Sequence, residues 1–336
     1  MNRIIPPKTW NNDMYYLDVL SSEWYKTIAI LDNELHFATA MFYRDRGIDT
    51  MFLPVTTGSI SSPMGLGSDS VPVSVTICDV KTYLADSMQF MLEFGCRIRP
   101  NGCYYVMPSF RGEATDERHL SQFYHSEVEI PGRLEDIISL AEAYIKSITG
   151  HLYNKCSDLI LQVAGTLEHI EQLLKMDSFP SLEYDSAITE LTGIEGALKS
   201  VDGRLSITPK GEKHLIQTYG GVVWLRHMDQ YLVPFYQAVN SDDPNKANCA
   251  DLLFGIGEVV GAGERHCMGS DVRKALKRHF VSEKEYDWYI TMKERYPLQT
   301  SGFGMGVERY LLWLLRHNDI RDCQLLLRQN GIFSVP

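Results

Sequence analysis

Ser301-Gly302-Phe303-Gly304-Met305-Gly306-Val307-Glu308-Arg309 is the stretch that decides the fold. Its glycines recur at the two-residue period of a strand, so one face is stripped of side chains and a flat ligand can lie on the backbone. Val307, Leu311, Leu314 and Leu315 follow at the spacing of a buried helix face, which puts Arg309 in that helix's first turn, pointing at the stripped strand. The spacing is G-x-G-x-G rather than G-x-G-x-x-G, and no Lys-Ser/Thr follows, so neither a dinucleotide fingerprint nor a Walker A loop is present. Taken alone, such a stretch also reads as close packing of a strand against a helix.

Working outward, Asp251 to Arg265 (DLLFGIGEVVGAGER) sets Asp251 and Glu258 around an apolar, glycine-bearing segment. Two carboxylates near one phosphate site suit Mg²⁺, which takes few protein oxygens and keeps waters and substrate phosphates. Phe110-Arg111-Gly112-Glu113, Arg118-His119-Leu120-Ser121-Gln122-Phe123 and Glu127-Val128-Glu129 form what reads as a strand, a loop and a strand. The planar fork of arginine fits phosphate or carboxylate oxygens two at a time. By itself this charge run also fits a solvated hairpin with ion pairs.

Ser21-Ser22-Glu23 is an N-cap signal, and Trp24, Ile28, Leu31, Leu35, Ala38 and Met41/Phe42 continue at helical spacing as far as Gly47. Met51-Phe52-Leu53 is strand-like and stops at Pro54. Residues 56–70 (TTGSISSPMGLGSDS) read as an exposed, mobile loop. Val71, Val73 and Val75 alternate as a strand, and Tyr104-Tyr105-Val106-Met107 forms another before Pro108. One helix runs through Leu134, Ile137, Ile138, Ala141, Ile145 and Ile148, and a second through Leu159, Ile160, Val163, Leu167, Ile170 and Leu174. Interspersed helices and strands without regular βαβ spacing predict an α+β fold with a largely antiparallel sheet flanked by helices.

The 336 residues fit one large domain or two ordinary ones. With 44% hydrophobic and 22% charged residues the chain is neither disordered nor of low complexity. A run of about 18 apolar residues is lacking, so no membrane span is expected. The first residues, MNRIIPP, hold no apolar core of a secretory signal. A net charge of −11 disfavours DNA or another phosphate backbone as the standing partner, while leaving room for a small anion held by a few arginines. Seven scattered cysteines without C-x-x-C support neither a disulfide framework nor a zinc site and point to a reducing cytoplasm.

Together the three stretches resemble motif 2, the region before motif 3, and motif 3 of class II aminoacyl-tRNA synthetases, in particular the aspartyl/asparaginyl subgroup. Ser87-Met88-Gln89, Phe179-Pro180 through Leu191, Leu232-Val233-Pro234-Phe235-Tyr236, Arg321-Asp322 and Arg328 add to the match. The resemblance covers residues 1–336 as one catalytic domain, with motif 1 at about 21–56, motif 2 at about 104–130, an insert at 134–247 and motif 3 at about 299–328. It implies ATP as a substrate, with Arg111 and Arg309 catalytic. Arg111 would hold the α-phosphate and the activated carboxylate, and Arg309 the γ-phosphate. Glu113 would approach the adenine, Phe123 stack on it, and Arg118 and His119 close over the nucleotide, with Asp251 and Glu258 around Mg²⁺. Ser87, Gln89, Glu93, Glu127, Arg265 and Gly304 would contact the amino acid, Arg265 through its non-reacting carboxylate or amide. Motif 1 implies a homodimer.

Glu93 and Glu127 match the asparaginyl type, and the lysine that the aspartyl type carries near Leu92 is missing. Gln122 stands where the family has glutamate, the Arg111 to His119 loop is one residue shorter, and Gly263-Glu264-Arg265-His266 replaces a Ser-Gln-Arg-Glu pattern. An anticodon-binding barrel is not expected ahead of motif 1. That combination resembles the synthetase-derived asparagine synthetases, implying AMP-forming activation of an aspartate-like acid followed by amide formation with ammonia or an amine, with tRNA not expected as a partner. The alternatives are an acyltransferase that passes the activated amino acid to a small amine, a carrier protein or a tRNA end, and a non-catalytic paralogue that binds an amino acid or nucleotide. The retention of Arg111, Glu258 and Arg309 argues against the last.

Overall fold

A computed structural model describes residues 3–8, 10, 12, 14–63, 66 and 70–333. Its strands are β1 (Asp49–Thr50), β2 (Thr56–Thr57), β3 (Val73–Ile77), β4 (Val80–Leu84), β5 (Cys103–Phe110), β6 (Gln122–Pro131) and β7 (Ser181–Glu183). They continue with β8 (Leu198–Val201), β9 (Arg204–Ile207), β10 (Val222–Arg226), β11 (Cys249–Phe254), β12 (Gly257–Glu264) and β13 (Thr300–Gly306). The helices are α1 (Tyr15–Ser21), α2 (Glu23–Arg44), α3 (Gln89–Cys96), α4 (Leu134–Ala164) and α5 (Glu168–Lys175), then α6 (Tyr184–Leu191), α7 (Pro209–Thr218), α8 (Gly269–Arg278), α9 (Asp287–Arg295) and α10 (Val307–Leu314).

One eight-stranded sheet has the order β1-β5-β6-β13-β12-β11-β10-β7. Only its outer pairs, β1 with β5 and β7 with β10, are parallel. The expected α+β fold with an antiparallel sheet is thus the fold observed. The last strand in the chain, β13, lies in the middle, joining β6 to β12.

Strand parity divides the sheet. Phe303, Met305, Val128, Val260 and Ala262 point to one face, where they join α2, α4 and α10 in the main core. Tyr43 stacks there between Tyr104 and Tyr144, at 4.3 and 5.2 Å between ring centroids. On the other face, α3, α8 and α9 gather Phe90, Phe235, Tyr236, Tyr286 and Tyr289 into a second apolar cluster.

The helix opening at Ser22 forms as its pattern predicts, Ser22 Oγ accepting from the Trp24 N–H at 3.2 Å. Three expectations need correction. The two central helices are one 31-residue helix, α4, followed by the short α5. Gly150 does not interrupt it, and Gly165 in the left-handed region (φ +79°) ends it. The strand near motif 1 is confined to Asp49–Thr50, though the Met51 N–H still reaches the Tyr104 carbonyl at 2.8 Å. The loop expected to be exposed is pinned: Ser59, Ile60 and Ser61 are buried. Asp86 accepts from the Ser61 N–H and Oγ (both 2.9 Å) and the Ser62 N–H (2.7 Å), Tyr286 Oη donates to the Ile60 carbonyl (2.9 Å), and Trp288 Nε1 donates to Ser59 Oγ (2.8 Å). Its residues 64–65 and 67–69 lie outside the described ones.

Candidate active site

The face of the sheet opposite α2 and α4 carries a cavity of about 290 Å³, lined among others by Ser87, Gln89, Arg111, Glu127, Asp251, Glu258, Arg265 and Gly304. Eight residues predicted from four separate stretches therefore meet in one place. A larger cavity of about 440 Å³, bordered by Asp32, His36, Tyr124 and Gln324, holds none of the predicted site residues.

Register explains the convergence. Gly302 pairs with Glu129 on one side and Gly263 on the other, Gly304 with Glu127 and Gly261, and Gly306 with His125. The stripped strand is not left bare, as the sequence suggested, because neighbouring side chains fold across it. A Cβ on Gly304 would come within 2.9 Å of Glu127 Oε1, and one on Gly302 would fall onto the Glu129 carboxylate and the Val128 carbonyl. A Cβ on Gly261 would meet Glu258 Oε1 at 2.9 Å and Asp251 Oδ1 at 3.7 Å. Glycine here makes room for carboxylates lying flat on the sheet.

Two of these carboxylates form the end of the site near α10. Burial pushes the Asp251 carboxyl well above its usual range, and repulsion from Glu258 and Glu212 adds to this while Arg309 opposes it. Arg309 donates to the Glu258 backbone carbonyl at 2.7 Å and lies 3.8 Å from Glu258 Oε2. Among the described residues no group of three or more His, Cys, Asp or Glu could hold a metal ion. Asp251 and Glu258 still fit Mg²⁺ as a donor set, since this ion completes its shell with waters and phosphates and would relieve the repulsion between them.

At the other end Glu127 is enclosed. Ser87 Oγ donates to its Oε2 at 2.6 Å and Tyr105 Oη donates to the same oxygen. Burial raises its carboxyl to about 8, against the lowering pull of Ser87. Gln89 Nε2 and Arg111 Nε are buried donors with no partner among the described residues, as groups awaiting a ligand would be. Arg265 is already engaged: its Nε and Nη2 donate to Glu129 Oε2 at 3.3 and 3.2 Å, and its Nη1 to Gln237 Oε1 at 3.0 Å. Burial opposes its charge, but Glu129 keeps the guanidinium ionised.

Other predicted residues land differently. Phe123 packs 5.4 Å below the Arg111 guanidinium. Glu113 accepts from the Val71 N–H at 2.9 Å, Arg118 pairs with Glu212 at 3.3 Å, and exposed His119 pairs with Asp116 at 3.0 Å, all beside the cavity rather than lining it. The structure does not bring Glu93 to the cavity. It is fully buried between Lys293 Nζ at 2.5 Å and Tyr289 Oη at 2.7 Å, because that lysine offers it a full countercharge.

Some partners of the predicted residues escaped the sequence reading, as did one residue of the site itself. Glu212 and Lys293, which pair with Arg118 and Glu93 outside the cavity, come from distant helices and carry no local signal. His125 did carry one: it has the same strand parity as Phe123, Glu127 and Glu129, so it faces the same way. Its Nδ1 lies 2.9 Å from Ser109 Oγ and 3.2 Å from Glu127 Oε1. Burial, then Arg111 and Arg309, hold its imidazole down at about 3, so it is uncharged near neutral pH.

A family description, tRNA synthetases class II (D, K and N), matches residues 8–330. The chain is 30% identical over 258 residues to a probable cytoplasmic asparagine–tRNA ligase of Encephalitozoon cuniculi, covering 74% of this chain and 56% of that protein. It is 29% identical over 260 residues to the asparagine–tRNA ligase of Pyrococcus abyssi, covering 74% and 57%. The chain thus spans a little over half the length of these relatives. In fold it is similar to asparaginyl-tRNA synthetase from Pyrococcus horikoshii complexed with asparaginyl-adenylate, with TM-score 0.86, 23% identity, and 96% of this chain and 72% of that one covered. These relatives correct the leading functional expectation. They are named for charging tRNA, not for making asparagine from ammonia, and those names conflict with the expectation that tRNA plays no part.

Proposed function

The chain belongs to the class II tRNA synthetases (D, K and N), and from that premise we propose that it joins an amino-acid carboxylate to AMP at the expense of ATP and passes the acyl group to a tRNA end. The observation that carries this reading is the single cavity in which Arg111, the Asp251–Glu258 pair and the Glu127 pocket meet. Arg111 and Arg309 neutralise the phosphates, and the amino acid lies between Gln89 and Glu127. Asp251 and Glu258 hold Mg²⁺, which when bound neutralises charge on the triphosphate. No protein nucleophile is required, because preorganised cations stabilise the charge developing at phosphorus.

Asparagine is the amino acid this pocket suits. Its side-chain amide presents both donors and an acceptor. Glu127 accepts from the amide nitrogen and the unpartnered Gln89 Nε2 donates, whereas an aspartate carboxylate has no N–H to offer Glu127. The names of the relatives support the same choice. Asparagine-dependent ATP–pyrophosphate exchange tests it, and asparagine is expected to outrun aspartate roughly 10- to 100-fold, the scale of one charge-assisted hydrogen bond. Formation of ADP and phosphate instead of AMP and pyrophosphate would sink the reading.

The same reading includes a second copy of the chain. Ile30, Phe37 and Met41 form one exposed apolar stripe along α2, and Phe52, 97% exposed, stands beside the edge strand β1. Covering such a stripe favours self-association. Light scattering at micromolar concentration is expected to give twice the chain mass, and a purely monomeric mass would refute it. All seven cysteines are free thiols, in keeping with the cytoplasmic placement proposed here and named for the Encephalitozoon relative. Among the described residues no helix is long and apolar enough to cross a membrane.

A further inference from the structure

We propose that His125 takes the proton from the acceptor hydroxyl as that hydroxyl displaces AMP from the activated amino acid, an inference that rests on the adenylate reading above. His125 lines the cavity from the middle of β6, opposite Gly306, between the anion-binding arginines and the amino-acid pocket. Ser87 and Tyr105 both donate to Glu127 Oε2, which leaves Oε1 turned toward His125. Nδ1 of His125 is hydrogen-bonded to Ser109 Oγ at 2.9 Å and lies 3.2 Å from Glu127 Oε1, so a hydroxyl and a carboxylate hold the same edge of the ring. Nε2 keeps its lone pair and has no partner among the described residues. An imidazole oriented by a carboxylate, with its second nitrogen open to the site, is the arrangement of a general base.

The surrounding charges favour the timing. Arg111 and Arg309 keep the ring neutral while the site is empty. The α-phosphate retained in the adenylate neutralises Arg111, so part of the penalty on an imidazolium is lifted at the stage when the proton must be taken. In the transfer step the acceptor oxygen bonds to the acyl carbon. The bond from that carbon to the phosphate oxygen breaks, AMP leaves with the electron pair, and the hydroxyl proton moves to Nε2. The imidazolium afterwards returns the proton to water.

The test uses the full chain in single turnover with ATP, Mg²⁺ and asparagine, comparing wild type with His125→Gln, whose amide can hydrogen-bond but cannot take the proton. Unfractionated tRNA is one acceptor and hydroxylamine the other, the latter being uncharged and strongly nucleophilic near neutral pH. The substitution is expected to slow transfer to tRNA by about 10²-fold or more, the usual worth of a general base, while hydroxamate formation falls less than about tenfold. Equal losses with both acceptors would overturn the proposal and mark His125 as a binding group. A wild-type chain that yields hydroxamate but charges no tRNA overturns the proton transfer and leaves adenylate formation standing. One that yields no hydroxamate overturns both. His125→Asn, checked by its melting curve, serves as the second variant if glutamine disturbs the fold.

Discussion

Alanine at Arg309 lowers ATP–pyrophosphate exchange by about 10²-fold or more, the effect of losing one preorganised charge-stabilising group. The side chain leaves α10 beside Gly306 and is anchored by the Glu258 carbonyl at 2.7 Å, so its charge is fixed before any ligand arrives. Without it, Asp251 loses the main cation opposing its repulsion from Glu258 and Glu212, and the metal pair is weakened as well. The core contacts of α10 run through Leu311, Leu312 and Leu314, which the substitution does not touch. Thermal stability should therefore stay near wild type. Lysine at 309 restores the charge but not the planar fork, and only partial activity is expected. Exchange at saturating asparagine, read beside a melting curve, decides the matter, and an unimpaired Arg309→Ala enzyme would remove that residue from the site.

The largest stability effect is expected at Lys293. Lys293 and Glu93 are both fully buried, 2.5 Å apart, and Lys293 Nζ also donates to the His266 carbonyl at 2.6 Å. Burial pushes the lysine's pKa down, and Glu93 opposes that shift. Lys293→Met leaves a carboxylate buried without a countercharge, which costs about 3–5 kcal/mol. Lys293→Met combined with Glu93→Leu removes both charges and should recover much of the loss, because a buried pair is nearly neutral against apolar replacements. Urea unfolding of the single and double variants measures both. A single-variant cost below about 1 kcal/mol would show that this pair does not tie α9 to α3.

These two sites mark the range of what the chain discloses about itself. Arg309 is legible because what places it at the start of α10 is local: three alternating glycines, a helix face, and one arginine in the first turn, only its anchor, the Glu258 carbonyl, being distant. The α+β sheet is legible for the same reason, since strand period and turn residues act over a few positions. Glu93 is not. Its place in the motif suggested contact with the amino acid, but its partner Lys293 lies 200 residues further on, and only the packing of α9 against α3 reveals it. The loop at 58–63 misled in the same way, since the groups that pin it come from Asp86, Tyr286 and Trp288. His125 belongs to a third kind. Strand parity already placed it between Phe123 and Glu127, but a lone histidine attracts less notice than paired carboxylates.

The central place of β13 bears on how the protein comes into being on the ribosome. The strand that unites the sheet begins only at Thr300, so β6, complete by Pro131, waits with an open hydrogen-bonding edge while synthesis continues. The open edge of β6 cannot find its final neighbour early, and its pairing with β13 spans about half the chain, which makes for slow, late assembly. During that interval the half-built sheets are natural clients for chaperones and natural seeds for aggregation. Ribosome stalling just before Thr300 should therefore leave a protease-sensitive nascent chain, and release of β13 should convert it to a resistant one.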